Sequence, residues 1–267
     1  MKLFFNIAFI LVVNLVFSQT RIAYVLEMKY PDQSIKKFNM NLDIIDHKVK
    51  FYDDELLNPI KTVSKSNQLI IRDVNSNKNT MIVFTTDNKA LKINSEDQIA
   101  WNLLDEYKQV KEYKLQKAIA QFGDRNWIAW FCSDVNINEG PFKFNGLPGL
   151  VFELEDADHI FQYHLASISK LLTKDKTYRK NYDEAPLISW EKYNKNLSNF
   201  FDDPYNKERL LISSGNEINI NDKDVKLQNL NTMTKEFQKL IKSTFPPAVE
   251  LHKFTFYKQR ILNLKTN

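Results

Sequence analysis

The side chains that could do chemistry in this 267-residue chain are few, and their spacing does not suit it. His159 and His164 stand five apart on one expected strand, so they point to opposite faces and cannot close on a single metal ion. His47 falls in a turn and His252 in the C-terminal tail. Asp156, Asp158 and His159 crowd one hairpin turn and could gather a cation weakly, although polar residues are common in turns for conformational reasons alone. No Gly-x-Ser-x-Gly elbow is present, and Ser133-Asp134 reads as the exit of a strand. Asp53-Asp54-Glu55 and Asp202-Asp203 are neighbours in sequence and read as solvated turns and caps, whereas a glycosidase pair comes from separate elements. Cys132 is the single cysteine. It excludes an intrachain disulfide and, ending an aromatic run, reads as an inert core thiol. Arg125 beside Trp127 is either a charged anchor at the edge of a ligand cleft or an arginine that binds backbone carbonyls at a strand end. No catalytic residue, metal ligand or cofactor site is assigned, and Arg125, Trp127 and His159 stand as weak binding candidates.

The elements that would have to position these residues are mainly strands. From Ile22 to about Leu165 the apolar residues alternate, as in Phe38, Met40, Leu42 and Ile44, then Val49 and Phe51 after an Asp46-His47 turn. Leu69 and Ile71, Met81 to Thr85, and Leu91 with Ile93 continue the pattern, with the Asn-rich residues 75–79 and Asp87-Asn88 as turns. Residues 95–107 fit either a strand or a short helix capped at Ser95, with strand preferred from the neighbours. Asn126 to Cys132 is apolar on both alternating sets and predicts a strand buried on both faces. Beyond Leu172 the texture changes. A Lys- and Asn-rich connection leads to one amphipathic helix between Pro186 and Pro204 and another from Thr232 to Ser243, followed by a weakly patterned tail, residues 249–264. The expected fold class is α+β, a predominantly antiparallel β meander or curved sheet with helices in the C-terminal third.

Three of the five glycines lie in GPFKFNGLPG, residues 140–149. A phosphate cradle does not fit, because no Lys-Ser/Thr follows and a strand rather than a helix comes next. Gly140, Pro141, Gly146, Leu147, Pro148, Gly149 and Leu150 read instead as a structural motif. Leu147 is held extended by the proline after it, and Gly149 supplies the positive φ of a type II turn that launches the strand Leu150 to Glu155. On that reading Asn at position 149 should be tolerated better than Val.

Composition limits the partners. An apolar run from Leu3 to Phe17 after Lys2 has the length of a signal-peptide core and is short for a bilayer span of roughly 20 residues. Residues 1–18 are therefore expected to be a signal peptide cut before Gln19, leaving a mature chain with no transmembrane span. Cleavage removes Lys2, so 36 basic side chains face 33 acidic ones for a formal charge of +3. That dispersed, nearly balanced charge gives no footprint for nucleic acid.

The string GPFKFNGLPGLV, preceded by AIAQFGDRNWIAWF at residues 118–131, resembles the signature of the GLPGLI family of secreted and envelope proteins from Bacteroidota. The resemblance covers about residues 113–152. It implies a periplasmic or cell-surface protein and, since the family has no established activity, it carries over no catalytic residue. Val151 replaces the motif's final Ile, a conservative swap, and Leu115 stands where members often have cysteine. The expected organisation is a β-rich domain over residues 19–172 and a mostly helical region, residues 173–267, packed on the sheet or loosely appended. The expected function is a non-enzymatic envelope protein that binds a partner or an apolar ligand. A hydrolase or other enzyme assembled from distant residues and a structural component of a surface complex are the alternatives. A dry concave pocket, a polar cleft or an exposed apolar patch, respectively, would mark them.

Overall fold

A computed structural model describes residues 19–58, 61, 63–74, 76–172, 182–220 and 223–264. The expected signal peptide, residue 75 and most of the Lys- and Asn-rich connection lie outside them. Eleven strands form one sheet: β1 (Thr20–Lys29), β2 (Ile35–Ile45), β3 (Lys48–Asp53), β4 (Ile70–Asp73), β5 (Lys78–Phe84), β6 (Ala90–Glu96), β7 (Asn102–Val110), β8 (Tyr113–Phe122), β9 (Arg125–Cys132), β10 (Leu150–Asp156) and β11 (Phe161–Lys170). Their order across the sheet is β6-β5-β4-β3-β2-β1-β11-β10-β9-β8-β7. The sheet is thus two meanders, β1 to β6 and β7 to β11, joined where β1 pairs with β11.

The two edge strands are consecutive in sequence, and that dictates the curvature. Only residues 97–101 separate Glu96 from Asn102. Six Cα steps reach at most roughly 20 Å. In a flat sheet the ten strand spacings between β6 and β7 would set them roughly 48 Å apart. Since neighbours are antiparallel throughout, β6 and β7 also run in the same direction, so the crossing must gain height along the strands as well. Both demands are met only if the sheet coils and staggers as a barrel does. It does not close, because β6 and β7 do not pair. The stretch from residue 95 to 107 is therefore neither a capped helix nor one strand. It is the end of β6, a crossing, and the start of β7, and the alternation of Ile99, Trp101 and Leu103 straddles the break.

Curling gives each strand an inner and an outer face. Ile22, Tyr24, Leu26 and Met28 of β1 face inward and are buried, as are Met40 and Leu42, Phe51, Ile70 and Val83. The inside is filled by two pieces of the same chain. One is the loop between β9 and β10, through Phe142, Phe144 and Leu147; the other is the C-terminal segment, through Ala248, Val249, Phe254, Phe256, Tyr257 and Ile261. The helices α1 (Trp190–Asp202), α2 (Asn206–Ser213) and α3 (Leu227–Thr244) follow the sheet, with a small hairpin of β12 (Ile218–Ile220) and β13 (Lys223–Val225) between the last two. Ser189 caps α1 by accepting from the Lys192 amide. Tyr193, Leu197 and Phe201, at helical spacing, turn its apolar side into the same core as the strands. A satellite core of Tyr52, Leu56, Leu69, Ile82 and Tyr182 covers part of the outer face.

Several expectations are corrected by this arrangement. β9 is fully buried along one face, where Trp127, Ala129 and Phe131 point inward; on the other set Ile128 and Trp130 are half-buried and Cys132, at the strand end, is buried. On that side the Lys108 ammonium lies 4.4 Å from the Trp130 ring centre, so apolar stem and charge shield the indole as they would at any wet surface. Asn79 belongs to β5 and is buried rather than in a turn. Asp53 and Asp156, expected as solvated turn residues, are buried at strand ends. Helix α2 and the β12–β13 hairpin were not marked by periodicity in the sequence. The weakly patterned tail, residues 249–264, gives Val249, Phe254, Phe256, Tyr257 and Ile261 to the core.

Gly149 has φ +147°, and an added Cβ would lie 2.1 Å from the Cys132 carbonyl oxygen. The turn before it is also different from the expected type II. The Gly149 amide donates to the Leu147 carbonyl at 2.8 Å, a three-residue turn about Pro148. The reason is the close approach: the chain must run extended past Cys132 before pairing as β10. That φ lies far from the small left-handed region that Asn tolerates. Gly149→Asn is therefore expected to destabilise as much as Gly149→Val, by about 2 to 4 kcal/mol from backbone strain and overlap. Denaturant melts of both variants check this, and a clearly milder Asn variant would contradict it.

Candidate functional site

Three charged clusters stand on the inner side of the sheet, where burying a charge is costly unless it is paired. The first joins β4 to the glycine-rich loop. Arg72 and Glu139, both buried, form a two-pronged ion pair, with Arg72 Nη1 donating to Glu139 Oε1 at 2.9 Å. The loop is pinned further where the Tyr24 hydroxyl donates to the Val151 carbonyl at 2.7 Å.

The second cluster lies at the crossing between the sheet edges. A turn closed by the Phe144 amide on the Pro141 carbonyl holds Phe142 at φ +55°, a conformation a bulky residue adopts only under constraint. The turn drives Lys143 inward. Its ammonium spends all three donors, on Ser95 Oγ at 2.9 Å, Asp97 Oδ2 at 2.8 Å and Glu250 Oε2 at 2.6 Å. Lys253 reaches the other oxygens, Asp97 Oδ1 at 2.5 Å and Glu250 Oε1 at 2.7 Å. Two cations thus face two anions drawn from the crossing, the loop and the C-terminal segment. Burial works to raise the Asp97 carboxyl, but Lys143 together with the hydrogen bonds from Lys253 and Ser95 prevails and holds it at about 2. Trp101, also on the crossing, donates to the Asn145 carbonyl at 3.0 Å.

The third cluster contains the arginine singled out from the sequence. Arg125 Nη1 pairs with Asp156 Oδ2 at 2.8 Å, while Nε and Nη2 donate to the Ala248 carbonyl at 3.2 and 3.0 Å. Of the two sequence readings it is the carbonyl-binding one that this geometry bears on: the arginine does bind a carbonyl, but one on the C-terminal segment rather than at a strand end. Burial raises the Asp156 carboxyl despite the Phe161 amide and the Arg125 charge. Gly123, in the β8–β9 turn at φ +69°, completes the dock. An added Cβ there would lie 2.4 Å from the Val249 carbonyl oxygen, and the Leu251 amide donates to the Gly123 carbonyl at 2.9 Å. Trp127 is fully buried, with its indole N–H on the Phe122 carbonyl and its ring 4.4 Å from that of Phe144. In the stretch Gly123-Asp124-Arg125-Asn126-Trp127, the glycine and the arginine bind residues 248–251, and the tryptophan supports the loop beside them.

The remaining candidates are not brought together. His159 sits in the exposed β10–β11 turn at φ +52°, with Nδ1 2.9 Å from Glu155. His47, His164 and His252 are exposed on separate elements. His252 borders an open depression of ≈ 530 Å³ beside Gln121, Asp124 and Asn126. Cys132 is buried at the end of β9. Asp53 accepts from Ser64 and Ser66, and burial raises its carboxyl. Within the coiled sheet the space left between Gln68, Met81, Phe142, Trp190 and Phe254 is ≈ 20 Å³, room for about one water. Lys143, Glu139, Asp97 and Glu250 carried no sequence signal beyond a charge within apolar surroundings.

Comparison with known proteins follows the same outline. Residues 76–153 match the family model described as "Protein of unknown function (Porph_ging)". No curated protein matches the chain. Among solved structures the chain is similar to PNGF-II in two crystal forms. One gives 14% identity and a TM-score of 0.51 over 67% of this chain and 32% of that one; the other gives 13%, 0.51, 67% and 33%. The chain thus spans about a third of the PNGF-II chain. A LolA superfamily protein from Nitrosomonas europaea is 9% identical with a TM-score of 0.29, over 62% of this chain and 91% of that one. At such identities the likeness to PNGF-II is one of fold.

The Asp97 cluster has a measurable consequence. A carboxyl held at about 2 against its ordinary 3.8 contributes stability that is present above pH 4 and lost as pH falls toward 2. Its size is about 2 kcal/mol. The raised Asp53 and Asp156 act in the opposite sense and are common to all variants compared. Lys143→Met leaves two buried carboxylates sharing Lys253 and is expected to cost about 3 to 5 kcal/mol at neutral pH. Its stability should also depend less on pH between 4 and 2 than that of wild type. Melts across that range check both; a Lys143→Met protein as stable as wild type would contradict the assignment.

Proposed function

We propose that the chain is an exported cell-envelope protein of the GLPGLI family, non-enzymatic, that binds its partner or ligand at its surface rather than inside the coiled sheet. On this reading residues 1–18 are a signal peptide, residues 19–172 form the β-rich domain, and residues 173–267 pack into it as part of one folded unit. The mature protein works in the periplasm or at the cell surface.

One observation carries the surface reading. The concave side, which in an open coiled sheet would be the natural place for an apolar ligand, is taken up by Phe142, Phe144, Val249 and Phe254 of the chain itself. The residues that make the family signature recognisable serve this filling. Gly123 and Arg125 seat residues 248–251, and Gly140 to Gly149 route the loop that delivers Phe144 and Lys143. In support of a non-catalytic role, the buried Lys143 ammonium has all three donors engaged, on Ser95, Asp97 and Glu250, and so is not free to transfer a proton.

The test uses protein secreted by its own leader. Intact mass should begin at Gln19, and titration with the uncharged apolar dye N-phenyl-1-naphthylamine should give no saturable fluorescence increase. Retention of Met1 would overturn the export reading. Saturable dye binding that is lost on Phe144→Arg would overturn the filled interior and restore an internal ligand site.

A further inference from the structure

Trp190, the first residue of α1, holds its indole Nε1 buried with no acceptor among the described residues. Packing keeps the ring in place: its centre lies 5.6 Å from that of Phe254 and, edge-on, 6.1 Å from that of Tyr193. A buried donor left unpaired is costly, and nearly all such groups in folded proteins find a partner in the protein or in ordered water.

The same tryptophan lines the ≈ 20 Å³ cavity in which α1, the residues before β4, β5, the glycine-rich loop and the C-terminal segment meet. Two fully buried polar side chains line it as well, Gln68 and Glu250. The Tyr163 hydroxyl donates to Gln68 Oε1 at 2.9 Å, and this fixes which end of the amide is the nitrogen. Gln68 Nε2 reaches the Met28 sulfur at 3.9 Å, a weak acceptor that engages one N–H of the two. Glu250 Oε1 faces the Lys253 ammonium at 2.7 Å but accepts no well-aligned hydrogen bond, so it keeps capacity to accept. The cavity is therefore bordered by two donors and one acceptor, while Met81, Phe142 and Phe254 make up apolar parts of its wall.

We propose that this cavity is the binding site of a single internal water molecule, which accepts from Trp190 Nε1 and Gln68 Nε2 and donates to Glu250 Oε1. Size and chemistry both select it. A water needs about 10 to 15 Å³ of such space and two to four polar partners, and the site supplies both. An anion would lie against the Glu250 carboxylate, and a metal cation would meet two N–H groups that cannot ligate it. A neutral molecule of several heavy atoms does not fit ≈ 20 Å³. The occupant must both donate and accept and be no larger than one heavy atom. Held there, the water ties the residues before β4 to the start of α1 and to the C-terminal segment, and it answers the donor that the protein alone leaves unpaired.

Water-to-protein cross-relaxation NMR on isotope-labelled protein tests this at the indole proton itself. The chain has four tryptophans, and loss of one indole signal in Trp190→Phe identifies the one to follow. In wild type, the Trp190 indole proton is expected to give NOE and ROE cross-peaks to water of opposite sign, the mark of a water that tumbles with the protein. Cross-peaks of the same sign would show an indole proton exchanging with bulk solvent, and no cross-peak would show a dry cavity; either result overturns the proposal. Gln68→Leu keeps the side-chain volume and removes one of the two donors. It is expected to lose most of the cross-peak intensity while a cooperative melting curve shows it folded. Full intensity in that variant would overturn the bridge through Gln68, and if the variant does not fold, the wild-type signs decide alone.

Discussion

Five residues must carry the chain from one edge of an eleven-stranded sheet to the other, and the rest of the structure follows from that connection. A short tether between distant edges leaves the sheet no option but to coil. Coiling creates an apolar concavity that strands alone cannot fill, since inward side chains from opposite walls do not meet across so wide a sheet. The loop between β9 and β10 and the C-terminal segment supply the missing interior. The crossing is also where they are tied: Asp97 from the tether, Lys143 from the loop, and Glu250 and Lys253 from the segment meet in one neutral cluster.

Such a cluster is a poor source of net stability, because desolvating four charges consumes most of what their attraction returns. Its effect is on specificity. An apolar segment can slide over an apolar wall with little change in buried area, but Glu250 and Lys253 leave their partners uncompensated if the segment shifts by even one residue. Arg125 acts in the same way at the other side through the Ala248 carbonyl, and Gly123 brings the two backbones so close that no side chain fits between them. Register of the segment is thus fixed by polar contacts, and burial of Phe254, Phe256 and Tyr257 provides the driving force.

Period-two alternation made the strands of residues 22–165 legible, and Trp190, Tyr193, Leu197 and Phe201 made α1 legible, because each presents one apolar side to one core. The order of the strands was not legible. Ile99, Trp101 and Leu103 alternate across the very point where the chain leaves one edge for the other, and alternation records facing, not neighbours. The tail was hard to read for a related reason: Val249, Phe254, Phe256, Tyr257 and Ile261 are buried at irregular spacing, so no periodic apolar stripe appears. Gly149 was marked as a turn glycine that Asn could replace, but the constraint lies 17 residues earlier, in the carbonyl of Cys132, and leaves no room for any Cβ. Arg125 stood out by residue type. Its partner Ala248 is 123 positions away and carries no chemical signal at all. Asp53 and Asp156 looked like turn residues because sequence shows charge but not burial.

The central claim is that the C-terminal segment is part of the sheet's interior rather than an attachment to it. Native-state hydrogen exchange tests this at two amides whose acceptors belong to other elements, Leu251 on the Gly123 carbonyl and Phe256 on the Asn194 side chain. If the segment is integral, both should exchange only through global unfolding, with the same free energy as the Ala129 amide in the middle of β9. Exchange of Leu251 and Phe256 at a free energy lower by about 2 kcal/mol or more, with Ala129 still protected, would show a segment that opens on its own and would contradict the account.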